Sequence, residues 1–169
     1  ESVFIVYPAE GVHEGYGESS LQLQKEKKDT AKEPLNIALE AKEYTITFAA
    51  NKKTLTRKKL FDWSQESDEQ IRYYSGTATY KTTFRWKNKP NKDQQIYLNL
   101  GTVYNLATVR VNGVDCGTIW TAPYRADITG ALKKGINELE IEVTNTWANA
   151  LAGADEGKAP FDGIWTNAK

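Results

Sequence analysis

Thr108-Val-Arg-Val-Asn-Gly-Val-Asp-Cys-Gly-Thr-Ile119 decides the fold. Its Asn112-Gly113 pair is the strongest short-range hairpin signal, because a two-residue type I′ turn needs positive φ at both central positions. Strand-like runs flank the pair on both sides, so the segment predicts two antiparallel strands joined by a tight turn. Gly117 allows a bulge or a close backbone approach in the second strand. Cys116 beside it is expected to behave as a small buried apolar residue.

Outward from this hairpin, apolar residues recur with period two, the strand signal. Ala78, Tyr80, Thr82, Phe84 and Trp86 alternate through a long strand at Gly76–Trp86. Ile96, Leu98 and Leu100 alternate after a turn-forming segment at Lys87–Gln94. Ile136–Asn145 alternates Leu139, Ile141 and Val143 with acids turned outward. Upstream, Leu35, Ile37 and Leu39 form one run, and Tyr44, Ile46 and Phe48 another. Asn51-Lys-Lys53 turns the chain into a strand holding Leu55 and Leu60.

Ser2–Tyr7, the Leu21–Leu23 stretch and Pro123–Thr129 read as shorter strands. Lys25–Glu33, with no apolar residue larger than Ala31, reads as a solvated connection. Residues 62–72 allow a helical turn, and Gly130–Gly135 reads as a single helical turn ended by Gly135. No helix longer than about two turns is expected. Roughly eight or nine short strands with turn signals between them predict an all-β sandwich or jelly roll of antiparallel strands. Residues 1–150 are assigned to this single domain, with 1–45 resting on pattern alone, and 151–169 to a C-terminal tail.

The composition narrows the chemistry. Of 169 residues, 22 are Lys or Arg and 22 are Asp or Glu, so the chain carries no net charge. That argues against the basic stripe that neutralises phosphates in nucleic-acid binding, and against a polybasic membrane patch. One Cys and one His leave no internal disulfide, no Cys-rich zinc site and no two-His metal motif. His13 lies in a Gly-rich loop with Glu10 and Glu14 and reads as an ordinary exposed side chain. No apolar run approaches the roughly 20 residues of a membrane span. The absence of Met and the start at Glu1 point to a processed protein or a piece of a longer one.

Three stretches carry a family likeness: Phe61–Ser67 continuing through Ile71–Phe84, then Leu98–Trp120, then Ala122–Trp147. Together they resemble the galactose-binding-like β-sandwich of glycoside hydrolases. They look more like the C-terminal sandwich of α-L-rhamnosidase-type enzymes of family 106 than like the sugar-binding domain of family 2. The resemblance covers about residues 60–150 and implies a jelly-roll sandwich from a periplasmic or extracellular glycoside hydrolase. It also implies a non-catalytic accessory module, with the catalytic acids in a barrel domain of the same polypeptide as partner. A self-sufficient carbohydrate-binding module and a purely structural or adhesive sandwich remain as rivals.

Carboxylate chemistry would need two carboxyl groups about 5–10 Å apart, one with a raised pKa. Glu138, Glu140 and Glu142 alternate along one strand and read as a solvated face, and Glu66, Asp68 and Glu69 as a solvated turn; no catalytic residue is assigned. Oligosaccharide binding points to Trp120, Tyr124 and Arg125 around one loop, with Asn105 and Asp115 as polar partners. In that reading an aromatic ring meets the C–H face of a sugar. The competing reading has Trp120 and Tyr124 capping the core and Arg125 paired with an acid. Trp63 reads as a core anchor and Trp86 as core or edge. No cofactor is expected. Asp62, Asp68, Asp115 and Asp127 show no ligand spacing for a structural calcium ion.

Overall fold

The alternating runs resolve into two antiparallel sheets sharing one core. A computed structural model of the chain describes residues 22–27, 35–39, 41–87 and 94–158. The strands are β1 (Gln22–Lys27), β2 (Leu35–Ala38), β3 (Tyr44–Phe48), β4 (Lys53–Arg57), β5 (Thr77–Trp86), β6 (Gln94–Asn99), β7 (Leu106–Val111), β8 (Val114–Ile119), β9 (Arg125–Asp127) and β10 (Gly135–Thr144). A 3₁₀ turn at Trp63–Gln65 and the short helix α1 (Glu69–Arg72) connect β4 to β5, and α2 (Ala148–Asp155) follows β10. One sheet runs β4-β3-β5-β10-β7-β8 and the other β2-β1-β6-β9.

Along β5 and β10, which pair over ten residues from Gly135↔Trp86 to Thr144↔Thr77, every second side chain faces inward. Ala78, Tyr80, Phe84, Trp86, Leu139, Ile141 and Val143 are buried there. They pack with Ile46 and Phe48 of β3, Val109 and Val111 of β7, and Ile96, Leu98 and Ala126 of the opposite sheet in one cluster. Burying each large apolar side chain contributes about 1.5–3 kcal/mol, so this shared interior is what holds two sheets face to face. The fold is an all-β sandwich, as the alternation and the resemblance implied. Trp63 and Trp86 are both core residues, 1% and 4% exposed. Phe48, Trp63 and Tyr74 meet edge to face, and Trp63 Nε1 donates to the buried Tyr80 hydroxyl at 2.5 Å.

The hairpin forms as its sequence demands. Asn112 and Gly113 take φ of 52° and 79°, the pair of positive values that a type I′ turn requires. In β8, Cys116 and Gly117 stand opposite Val109 alone, and Gly117 absorbs this bulge at φ 98°. Beneath the turn, the fully buried Asn137 makes four hydrogen bonds. Its Nδ2 donates to the carbonyls of Lys133 (2.8 Å) and Gly135 (3.1 Å), and its Oδ1 accepts from Lys133 N (2.9 Å) and Asn112 Nδ2 (2.8 Å). This network fixes the loop before β10 to the hairpin beside it.

Four segments differ from their expected structure. Lys25–Lys27 belongs to β1, because it pairs in register with Gln94–Ile96 of β6 and, at Lys25, with Leu35 of β2, whatever its polarity. The Pro123–Thr129 stretch narrows to Arg125–Asp127. Gly135 opens β10 at φ 102° instead of ending a helical turn. After Asn145 the chain forms α2 across the 150/151 boundary; Ala150 N donates to Ser75 Oγ at 3.0 Å, and Gly153 lies directly against Tyr73. Leu60 falls past the end of β4 yet is buried. Ser2–Tyr7 and His13 lie outside the described residues.

Candidate functional site

Register brings three loops to one end of the six-stranded sheet. Thr144 at the end of β10 faces Leu106 at the start of β7, and Ala107 faces Ile119 at the end of β8. Tyr104, Asn105, Trp120 and Trp147 therefore sit on adjoining strand ends, about 4.8 Å apart from strand to strand. Here the large apolar groups face solvent: Trp120 is 71% exposed, Trp147 61% and Tyr104 45%.

Each predicted residue has a definite place. Trp120 stands outward and does not cap the core. Tyr124 is half-buried against the core, and its carbonyl accepts from Leu100 N at 2.8 Å. Arg125 lies on the outer face of the four-stranded sheet, its guanidinium 4.5 Å from the Tyr97 ring centroid. Asn105 is exposed, anchored through its N–H to Thr144 O at 3.0 Å. Asp115 sits at the far end of β8 opposite Arg110, five strand residues and roughly 16 Å from Trp120. Its Oδ1 accepts from Gly117 N at 2.7 Å, supporting the bulge. Asn105 and Trp120 thus lie next to adjoining strand ends of the six-stranded sheet, Tyr124 directly precedes β9 of the four-stranded sheet, and Asp115 stands apart. Sequence reasoning missed Tyr104 and did not single out Trp147, because only strand register shows that both lie at the same end of the six-stranded sheet as Trp120.

The carboxylates are placed differently. On the outer face of the six-stranded sheet, Glu140 binds Lys81 Nζ (2.8 Å) and Arg110 Nη1 (3.0 Å), and Glu142 also reaches Arg110 (3.1 Å). Glu140, Lys81 and Arg110 border a shallow cleft of about 520 Å³ that Glu43, Glu138 and Thr45 also line. The Lys81 hydrogen bond, with Arg110 beyond it, holds the Glu140 carboxyl below the usual carboxylate range against some burial. In the 62–72 segment, Asp68 caps α1 and pairs with Lys53, whose hydrogen bond lowers its pKa. Burial raises the Glu66 carboxyl, but Arg57 and Ser67 outweigh it and the net shift is down. Glu156 is lowered by the Tyr73 hydroxyl. A general acid in glycoside hydrolysis needs the opposite shift.

Asp62, Asp115 and Asp127 each serve a local turn, accepting respectively from Ser64 N, Gly117 N and Thr129 N. Among the described residues, no group of three or more His, Cys, Asp or Glu is arranged for a metal ion. Cys116 is half-buried, and burial pushes its thiol pKa up. Among the described residues, no helix is long and apolar enough to cross a membrane.

The glycosyl hydrolase 2 galactose-binding domain-like model matches residues 50–167, from the β3–β4 turn past α2. The chain belongs to this family. A Formosa agariphila protein, a β-glucuronidase by name, is 46% identical over 104 residues, 61% of this chain and 9% of that protein. A rhamnosidase structure from Novosphingobium sp. PP1Y shares 34% identity with TM-score 0.66, over 88% of this chain and 13% of the other. A β-D-glucuronidase structure from Dictyoglomus thermophilum shares the fold, at 18% identity and TM-score 0.51, over 82% of this chain and 21% of the other. The chain thus spans only 9% to 21% of the length of these three relatives.

Proposed function

We propose that the chain is a non-catalytic accessory module of a larger glycoside hydrolase, and that its aromatic rim contacts the glycan. The exposed Trp120 carries this reading, beside Tyr104 and Asn105 in a family whose relatives are named as rhamnosidases and glucuronidases. An exposed indole stacks on a pyranose C–H face, while Asn105 supplies both a donor and an acceptor for hydroxyl groups. Hydrolysis would fall to a barrel domain of the same polypeptide, acting outside the cytoplasm. The lowered carboxyls at Glu66, Asp68, Glu140 and Glu156 support that division, since none is prepared to give up a proton to a leaving group near neutral pH.

A glycan array probed with the purified chain tests the reading. Saturable binding to a plant or host oligosaccharide, lost in Trp120→Ala, is expected. Binding that survives Trp120→Ala, or none across the array, contradicts it. The rival role of the rim, packing on the barrel, predicts an array without hits and a Trp120 indole that becomes buried in the longer polypeptide.

A further inference from the structure

Between α2 and the β4–β5 connection lies a second cleft, of about 470 Å³, lined by Ser64, Gln65, Arg72, Tyr73, Asn149 and Glu156. Its volume falls in the roughly 300–1,000 Å³ range of small-molecule sites. Asn149 is 8% exposed, and its buried Nδ2 donates to no described residue. Leaving such an amide unpaired works against folding, and a purely structural packing position is better filled by an apolar side chain. An amide with no partner among the described residues is a place where an outside group can complete the hydrogen bonding.

The surrounding groups define that outside group. Arg72 spends its Nε on the Glu66 carbonyl at 2.8 Å, and its guanidinium carries further N–H donors. Glu156 Oε2 accepts the Tyr73 hydroxyl at 2.7 Å. Glu156 faces the positive Arg72 and, at 3.7 Å, Lys158, which also pairs with Glu69 at 3.0 Å, so positive and negative side chains balance around the cleft and an anion or a cation would each meet a like charge. Donors (Asn149, Arg72) and acceptors (Glu156, with the Ser64 hydroxyl that takes the Gln65 amide at 3.1 Å) line the cleft together, a mix that hydroxyl groups match because each both donates and accepts. Tyr73 is 5% exposed and offers no stacking face, so affinity there rests on hydrogen bonds alone.

We infer that this cleft is a second saccharide site, separate from the rim, that takes one neutral sugar residue. It extends the carbohydrate reading to a new place and stands or falls independently of Trp120.

Titration of the ¹⁵N-labelled chain with methyl β-galactoside, methyl α-L-rhamnoside and D-glucuronate tests it. With the neutral glycosides, saturable millimolar shifts at Ser64, Gln65 and the Asn149 side-chain amide are expected, and glucuronate should bind several-fold more weakly. Asn149→Ala should weaken binding at least tenfold while the melting temperature stays level or rises. Gln65→Ala, at an exposed position, should weaken it several-fold. Trp120→Ala should leave these shifts intact, so failure at the rim and failure at the cleft read out separately. No saturable shift at these residues with either neutral glycoside, or unchanged affinity in Asn149→Ala, overturns the proposal.

Discussion

Replacing Asn137 with Ala removes four hydrogen bonds, three that close the loop at Lys133 and Gly135 and one that ties it to Asn112 of the β7–β8 hairpin. At a net value of about 1 kcal/mol each, their loss costs about 3–4 kcal/mol. Some of that comes from groups left behind: the Lys133 N–H and carbonyl and the Gly135 carbonyl lose a partner in a partly buried setting. Asn112 Nδ2 keeps its bond to Ala131 O at 2.8 Å, so the hairpin turn itself survives. For a domain of this length 1 kcal/mol moves the melting temperature by about 2–4 °C, so the expected fall is roughly 6–16 °C. Thermal denaturation followed by circular dichroism measures it, with Glu138→Gln at the exposed neighbouring position as a control held within about 0.5 kcal/mol. Hydrogen exchange should show the Lys133 amide losing protection before the strands do. A fall of less than about 2 °C would refute the view that this buried amide organises the sheet end.

Three further outcomes are expected. Gly153→Ala should destabilise α2 despite a better helix propensity, because the new Cβ would lie 2.6 Å from Tyr73 Cγ; a clash of about 1–3 kcal/mol outweighs the roughly 1 kcal/mol gained. Lost amide protection in Ala148–Asp155 reports it, and a higher melting temperature would contradict it. Glu140→Gln should lower stability by about 1 kcal/mol or less at pH 6. Because the folded pKa of Glu140 is depressed, that stabilisation is present above the unfolded value of about 4.3 and is lost as pH falls through the folded one. The wild-type and Glu140→Gln melting temperatures should therefore converge in acid, and a gap that widens there would be contrary. Trp120→Ala, at a solvent-facing ring, should change stability by no more than about 0.5 kcal/mol, measured by guanidinium denaturation; a larger loss would place the ring in a packing role.

Legibility in the sequence followed the locality of the physics. Asn112-Gly113 encodes its own turn, and the ten-residue alternation of β5 and β10 encodes a buried face, so both were readable without any partner. Lys25–Lys27 was not, because a polar segment becomes a strand here only through pairing with β6, which is distant in sequence. The helix α2 was hidden for a related reason: its Ala/Gly-rich sequence carries no side-chain cap, and its place is fixed by Ser75 and Tyr73, more than 70 residues away. At the site, residue type pointed to Trp120, but burial alone separates an outward ring from a core cap. Asp115 shows the limit of sequence proximity: it lies five residues from Trp120, which along a strand places it at the opposite end.

The central claim is that this sandwich assists a glycoside hydrolase without itself cleaving glycans. Initial rates of the purified chain on aryl β-glucuronides, α-L-rhamnosides and β-galactosides test it most directly. No release above the buffer rate on any of the three is the predicted result, and saturable turnover by the chain alone, abolished by a carboxylate substitution within it, would contradict it.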